Sequence, residues 1–170
     1  MVNTNMSNFL ESSLEDLYQS AVDAFPNTGL RQHATHPIVI TNLRWTPFLG
    51  VKTLFIKALA QNEGREYNPI ILFKNVNYDG DQVTITDSND REVSFDKLSM
   101  ENTDVVLRCN CKDFYWRFNY YDHVDKSLYG RKRAAYESKG GKPSNPLELP
   151  GMCKHLMKTA HVLREAGIFI

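Results

Sequence analysis

The sequence predicts an α+β fold, and three features of its residue pattern carry that prediction. Apolar residues near the N-terminus recur at helical spacing, the middle of the chain is a succession of short β-branched and aromatic runs, and the three cysteines all lie beyond Val105, in a C-x-C and a C-x-H. A chain of 170 residues, 42% hydrophobic and 24% charged, is enough for one globular domain or for one domain with an appended arm.

The helix is expected over Ser12–Phe25, because Leu10, Leu14, Leu17, Ala21, Ala24 and Phe25 fall at spacings of three and four. Ser12 followed by Glu15 makes a capping-box pattern, and the "PNTG" of Pro26–Gly29 stops the helix. From His36 onward "PIVITNLRW" and "VKTLFIKALA" read as strands separated by the turn "TPFLG", and "YNPIILFKNV" as a third. "DQVTITDSNDREVSF" predicts a half-exposed hairpin, with Val83, Ile85, Val93 and Phe95 alternating with polar residues around "DSND". "DVVLRCNCKDFYWRFNYY" predicts a further hairpin with the cysteines at its turn, Phe114, Trp116 and Phe118 on one face and Tyr115, Arg117 and Asn119 on the other.

Residues 122–149 have no sustained period and predict an extended arm. Order returns in "PGMCKHLMKTAHVLREAG", where Met152, Leu156, Ala160 and Leu163 form a helical stripe, Pro150 precedes it and Gly167 is placed as a C-cap. The final "EAGIFI" is expected to return to the core or insert into a neighbour. The expected organisation is an N-terminal helix and a small, mostly antiparallel sheet over residues 1–100, then a β-hairpin–helix unit over 101–170 carrying the arm 122–149.

Twenty basic residues balance twenty acidic ones, which argues against a dedicated nucleic-acid binder while leaving room for a local basic patch. The N-terminus lacks a basic region followed by an apolar run, and no window approaches the roughly eighteen apolar residues of a membrane span, so the expectation is a protein made and used in water, at first in a reducing cytoplasm. There an odd number of cysteines suits a metal or free thiols better than a disulfide framework.

Structural zinc takes four soft or borderline donors, commonly from a hairpin turn and a helix start. Cys109, Cys111, Cys153 and His155 supply three thiolates and an imidazole in those two settings, and zinc is the expected cofactor. The long insert between the pairs is tolerable, since loop-closure entropy grows only with the logarithm of length. The alternatives are three unligated buried thiols, a strained Cys109–Cys111 disulfide that leaves Cys153 alone, and a catalytic thiol with His123 or His155 as its base. The charged neighbours Arg108, Lys112 and Lys154 suit a surface turn better than a core thiol. Four ligands close a zinc site, so the metal is expected to hold structure and not to catalyse. His33 and His36 read as solvated loop, His161 as a surface or packing residue, and His123 as the one substitute ligand.

C-x-C, a long insert and C-x-H at a helix start resembles the SWIM zinc finger, a hairpin-plus-helix module that serves DNA binding or protein–protein contact. All four ligands match, and the resemblance covers about Val105–Gly167. The composite "CNCKDFYWRF … NP … PGMCKHL" is similar to small virion structural proteins of tailed bacteriophages, which often carry this finger. That resemblance implies a non-enzymatic component of a neck, tail or baseplate, made in the host cytoplasm, located in the virion and contacting other virion proteins in a multi-subunit ring or complex.

The arm supplies candidate contacts at Lys126, Tyr129, Arg131, Lys132, Arg133 and Tyr136, with Lys139 and Lys142 further along. Tyrosine and arginine favour protein interfaces, whereas basic residues with stacking rings also suit nucleic acid. The rival expectation is therefore a DNA-binding accessory factor, with a plain solvated loop as the third reading of the arm. No phosphate-loop, dinucleotide, nucleophile-elbow or H-E-x-x-H motif occurs, and Asp79, Asp81, Asp87, Asp90 and Glu92 are explained by turn chemistry.

Overall fold

A computed structural model describes residues 12–26, 37–136, 140–141 and 144–170. The chain opens with a two-residue strand β1 (Ser12–Ser13) and runs directly into helix α1 (Leu14–Ala24), with Leu14, Leu17, Ala21 and Ala24 buried. The capping box lies one residue later than expected. The Asp16 N–H donates to Ser13 Oγ at 3.2 Å and the Ser13 N–H to Asp16 Oδ2 at 3.1 Å, because the Ser12 hydroxyl is drawn away to Asp125 Oδ2 at 2.7 Å. Of the expected "PNTG" stop, residues 27–29 lie outside the described residues, as do His33 and His36.

Strands β2 (Val39–Phe48) and β3 (Thr53–Asn62) form a long antiparallel hairpin, with register running from Val39↔Gln61 to Phe48↔Thr53 and a bulge between Ile40 and Asn42. β2 continues through Thr46–Phe48, so the turn expected at "TPFLG" is displaced to the 3₁₀ segment Leu49–Val51. Pro47 is tolerated because β2 is an edge strand, where no neighbour needs its missing N–H. The short strand β4 (Arg65–Tyr67), absent from the sequence reading, pairs with the end of β3, and β5 (Ile70–Phe73) pairs with its start. The expected second hairpin is β6 (Val83–Thr86) with β7 (Glu92–Phe95), in register Val83↔Phe95 and Ile85↔Val93. Its turn partly covers the β2 edge: the Ser88 N–H donates to the Trp45 carbonyl at 2.9 Å.

β8 (Asp104–Arg108) completes the main sheet, ordered β1-β8-β5-β3-β2 with β4 also on β3 and every pairing antiparallel. The α+β class therefore holds, but not the hairpin expected at the cysteines. After Cys111 the chain forms helix α2 (Lys112–Arg117) and then α3 (Asn119–Val124). Phe114, Phe118 and Asp122 are buried at a spacing of four, while Trp116 is exposed. The aromatic alternation is thus the inner and outer sides of a short helix.

Alternate residues of β3, β5 and β8 (Leu54, Ile56, Ile71, Phe73, Val105, Leu107) point into one core with Leu14 and Leu17 of α1, Phe114, and Leu156 and Leu163 of helix α4 (Lys154–Glu165). This core is continuous across the 100/101 division, because β8 is an interior strand of the sheet. Gly167 reverses the chain as expected, at φ +81°. Ile168 and Phe169 then return to the core against Leu98 and Phe73, and Ile170 alone is left 92% exposed.

The arm begins as the last turns of α3 and then takes over the β8 edge where β1 ends: Leu107 N–H donates to Ser127 O, and Tyr129 N–H to Leu107 O. The Arg108 guanidinium clamps the carbonyls of Tyr129 and Arg131, and the Arg133 N–H donates to Asn119 Oδ1. Buried Asn145 holds the far end by donating to the carbonyls of Arg117 and Leu149. The absence of period was legible in the sequence, but these anchors were not.

Asp122 is the one fully buried carboxyl among the described residues. Its Oδ1 accepts the Gly151 N–H at 2.7 Å, and its Oδ2 has no hydrogen-bond partner. Burial pushes its pKa well above the carboxylate range, and the neighbouring Asp125 is raised too, first by burial. The folded chain therefore binds these protons more tightly than the unfolded one, and stability falls as pH rises above about 4 toward the folded-state values. Asp122→Asn keeps the bond to Gly151 and removes a buried charge. It is expected to stabilise the protein by on the order of 1 kcal/mol at alkaline pH and to flatten the decline, leaving the share from Asp125. Urea midpoints of the two zinc-saturated proteins at acidic and alkaline pH test this, since their difference cancels the metal's own pH dependence. An unchanged difference between the two pH values counts against it.

Candidate metal centre

β8 delivers Cys109 at its end, and Asn110 turns the chain so that Cys111 becomes the N-cap of α2, its Sγ accepting the Phe114 N–H at 3.3 Å. From the other side the buried Gly151–Met152 step leads to Cys153, the N-cap of α4, with His155 in the first turn. Two helix N-termini therefore abut the cysteines, which favours thiolate over thiol.

The four donor atoms lie within 4.8 Å of one another, and the residues are buried to between 1% and 3% exposure. His155 presents Nδ1 to the sulfurs, 3.9 Å from Cys109 Sγ and 4.0 Å from Cys153 Sγ. Zinc–sulfur bonds of about 2.3 Å and zinc–nitrogen bonds of about 2.0 Å place tetrahedral donors roughly 3.5–3.8 Å apart, so contractions of up to about 1 Å between donors close the site.

The electrostatics of the cluster fit a cation. Hydrogen bonds from Cys109 and Cys153 push the Cys111 pKa far down, while Cys109 is raised, first by that same bond, and Cys153 is raised by burial. Three crowded thiols in an apolar pocket share little negative charge on their own. A divalent ion removes that conflict by deprotonating its ligands outright. Cys109, Cys111, Cys153 and His155 thus form a zinc-finger-like Cys₃His arrangement able to coordinate a structural Zn²⁺, and the three cysteines are free of disulfides. His123 is exposed and outside this group, and His161 is an exposed partner of Glu165 at 3.1 Å.

Sequence reasoning missed the layer around the ligands. Tyr67, at the end of β4, stacks on the His155 ring with centroids 4.3 Å apart and planes inclined 27°. His155 Nε2, the ring nitrogen turned away from the sulfurs, lies buried with no hydrogen-bond partner. Asn110 Oδ1 accepts the Asn68 N–H at 2.8 Å, tying the turn between the cysteines to the β4–β5 connection. Tyr67→Ala is expected to lower zinc affinity about ten-fold through loss of this support, read by competition with a chromogenic chelator. Unchanged competition rejects the supporting role.

The arm's candidate contacts divide. Tyr129 packs on Phe55 of β3, with centroids 5.6 Å apart, whereas Lys126, Arg131, Lys132 and Arg133 are exposed. The Arg133 guanidinium lies 3.6 Å from the Tyr115 ring centroid, and Tyr136 packs against Trp116 at 4.5 Å. No helix among the described residues is long and apolar enough to cross a membrane. Set against protein-family models, characterised proteins and solved structures, the chain matches none, so the metal assignment stands on its own donor geometry.

Proposed function

We propose that this protein is a non-enzymatic structural component of a multi-subunit assembly, with zinc fixing its C-terminal unit to the sheet. In the form to which the cysteine motif points, it is a tailed-phage virion component of the neck, tail or baseplate. A Cys₃His site with all four positions filled by protein leaves no place for a substrate or a reactive water, which favours a structural metal.

The observation that carries the docking role is the tip of the β2–β3 hairpin. Phe48, Leu49 and Val51 are 47%, 57% and 71% exposed, at the end of a stem whose pairing is unbroken from Asn42↔Leu59 to Phe48↔Thr53. Three exposed large apolar residues on a stiff support are costly in water and mark an interaction site. Replacing all three by serine is expected to change stability by about 0.5 kcal/mol at each position at most and to leave zinc content intact. In sedimentation velocity the wild-type protein is expected to sediment as a ring or complex, and the variant as a monomer. A wild-type protein that sediments as a monomer even at about 1 mM sinks this reading.

One observation favours the rival nucleic-acid reading: Trp116 and Tyr136 form an exposed ring pair beside the basic Arg131–Arg133 run. Salt-dependent retention on single-stranded DNA, lost in Arg131→Gln/Lys132→Gln, supports it.

A further inference from the structure

A cavity of about 640 Å³ opens between α1 and α4, within the range of pockets that enclose ligands. Its apolar lining includes Ile38, Met100 and Met157, the last two adaptable in shape. Along its rim α4 sets Lys154, Lys158 and Arg164, opposed by the single carboxylate of Glu15 from α1. None of these three cations forms an ion pair among the described residues, and the nearby His161 is engaged with Glu165. On a molecule of zero net charge this is a locally cationic groove with an apolar base.

The spread of the charge identifies the class of ligand. Lys154 and Arg164 are separated by about 15 Å along the helix axis, too far for one carboxylate or phosphate to satisfy both. An occupant matching the whole rim carries several acidic groups at intervals and an apolar edge between them. We infer that the α1–α4 groove binds an acidic amphipathic segment of a partner protein. This rests on the docking reading above but uses a surface separate from the hairpin tip. The charged rim would select the partner and speed encounter, while the apolar base would hold it.

The test uses zinc-loaded full-length protein and two fluorescein-labelled helical peptides with the same leucine face, one with glutamate and one with lysine on the polar face. Anisotropy is expected to show the acidic peptide binding at least about ten-fold tighter than the basic one, with the advantage shrinking as salt rises. In Lys158→Glu/Arg164→Glu the preference should reverse, with zinc content and melting unchanged. Lys158→Gln alone should give an intermediate loss. Equal affinity for both peptides, no binding at about 1 mM, or a preference that survives the double charge reversal each overturns the inference. Loss of assembly in the hairpin-tip variant with peptide selectivity intact separates failure of one surface from failure of the other.

Discussion

Stripping the metal, or replacing Cys153 by serine, is expected to melt the C-terminal third of the molecule. Structural zinc contributes on the order of 10 kcal/mol to folding, comparable with the whole stability of a typical domain, about 5–15 kcal/mol. The ligands also stand where nothing else can replace them. Cys111 and Cys153 are the N-caps of α2 and α4, and Cys109 directly follows β8, so one bound ion would join the sheet to two helices. Without it, buried thiols of conflicting ionisation face a histidine whose outer nitrogen already lacks a partner. Elemental analysis should find one zinc per chain. Since each 1 kcal/mol moves the melting temperature of a protein this size by about 2–4 °C, Cys153→Ser or a strong chelator should lower it by more than about 10 °C. The chelated protein should also expose all three thiols to alkylation. An unchanged melting curve after verified metal removal would remove the central support of the metal assignment.

The four ligands were legible because their chemistry is written in residue type and spacing, independently of the path between them. The layer around them was not. Tyr67 reaches His155 from a strand of three residues whose other members are Arg65 and Glu66, too short and polar to register as β structure. Long elements with strong periodicity, such as α1, the β2–β3 hairpin and α4, could be read to within a few residues. The error at Lys112–Arg117 arose because Phe114, Trp116 and Phe118 alternate like a strand, while the burial of Phe114, Phe118, Tyr121 and Asp122 at spacings of three and four records a helical face. A six-residue helix is marginal by propensity alone. Here the Cys111 cap and the packing of Phe114 decide between the two periods.

Gly151, in "LPGMC", is a packing residue by its surroundings, and its replacement by alanine is the second large effect expected. A β-carbon there would stand 2.6 Å from Phe118 Cε1 and 2.9 Å from Ala21 Cβ. Neither neighbour can withdraw easily: Ala21 belongs to α1, and the buried Phe118 ring is held between Phe25 and Phe114. The Gly151 N–H meanwhile donates to Asp122, so the loop cannot shift without leaving that carboxyl with no partner. Overpacking of this kind costs about 1–3 kcal/mol, and the displacement would reach Cys153, two residues on. Gly151→Ala should therefore lower both the melting temperature and the zinc affinity. Phe118→Leu opens space at the point of collision, so the cost of Gly151→Ala should fall by at least about 0.5 kcal/mol in that background. Simple additivity of the two substitutions would show that α1, the α2–α3 junction and the metal-bearing loop do not meet at this glycine.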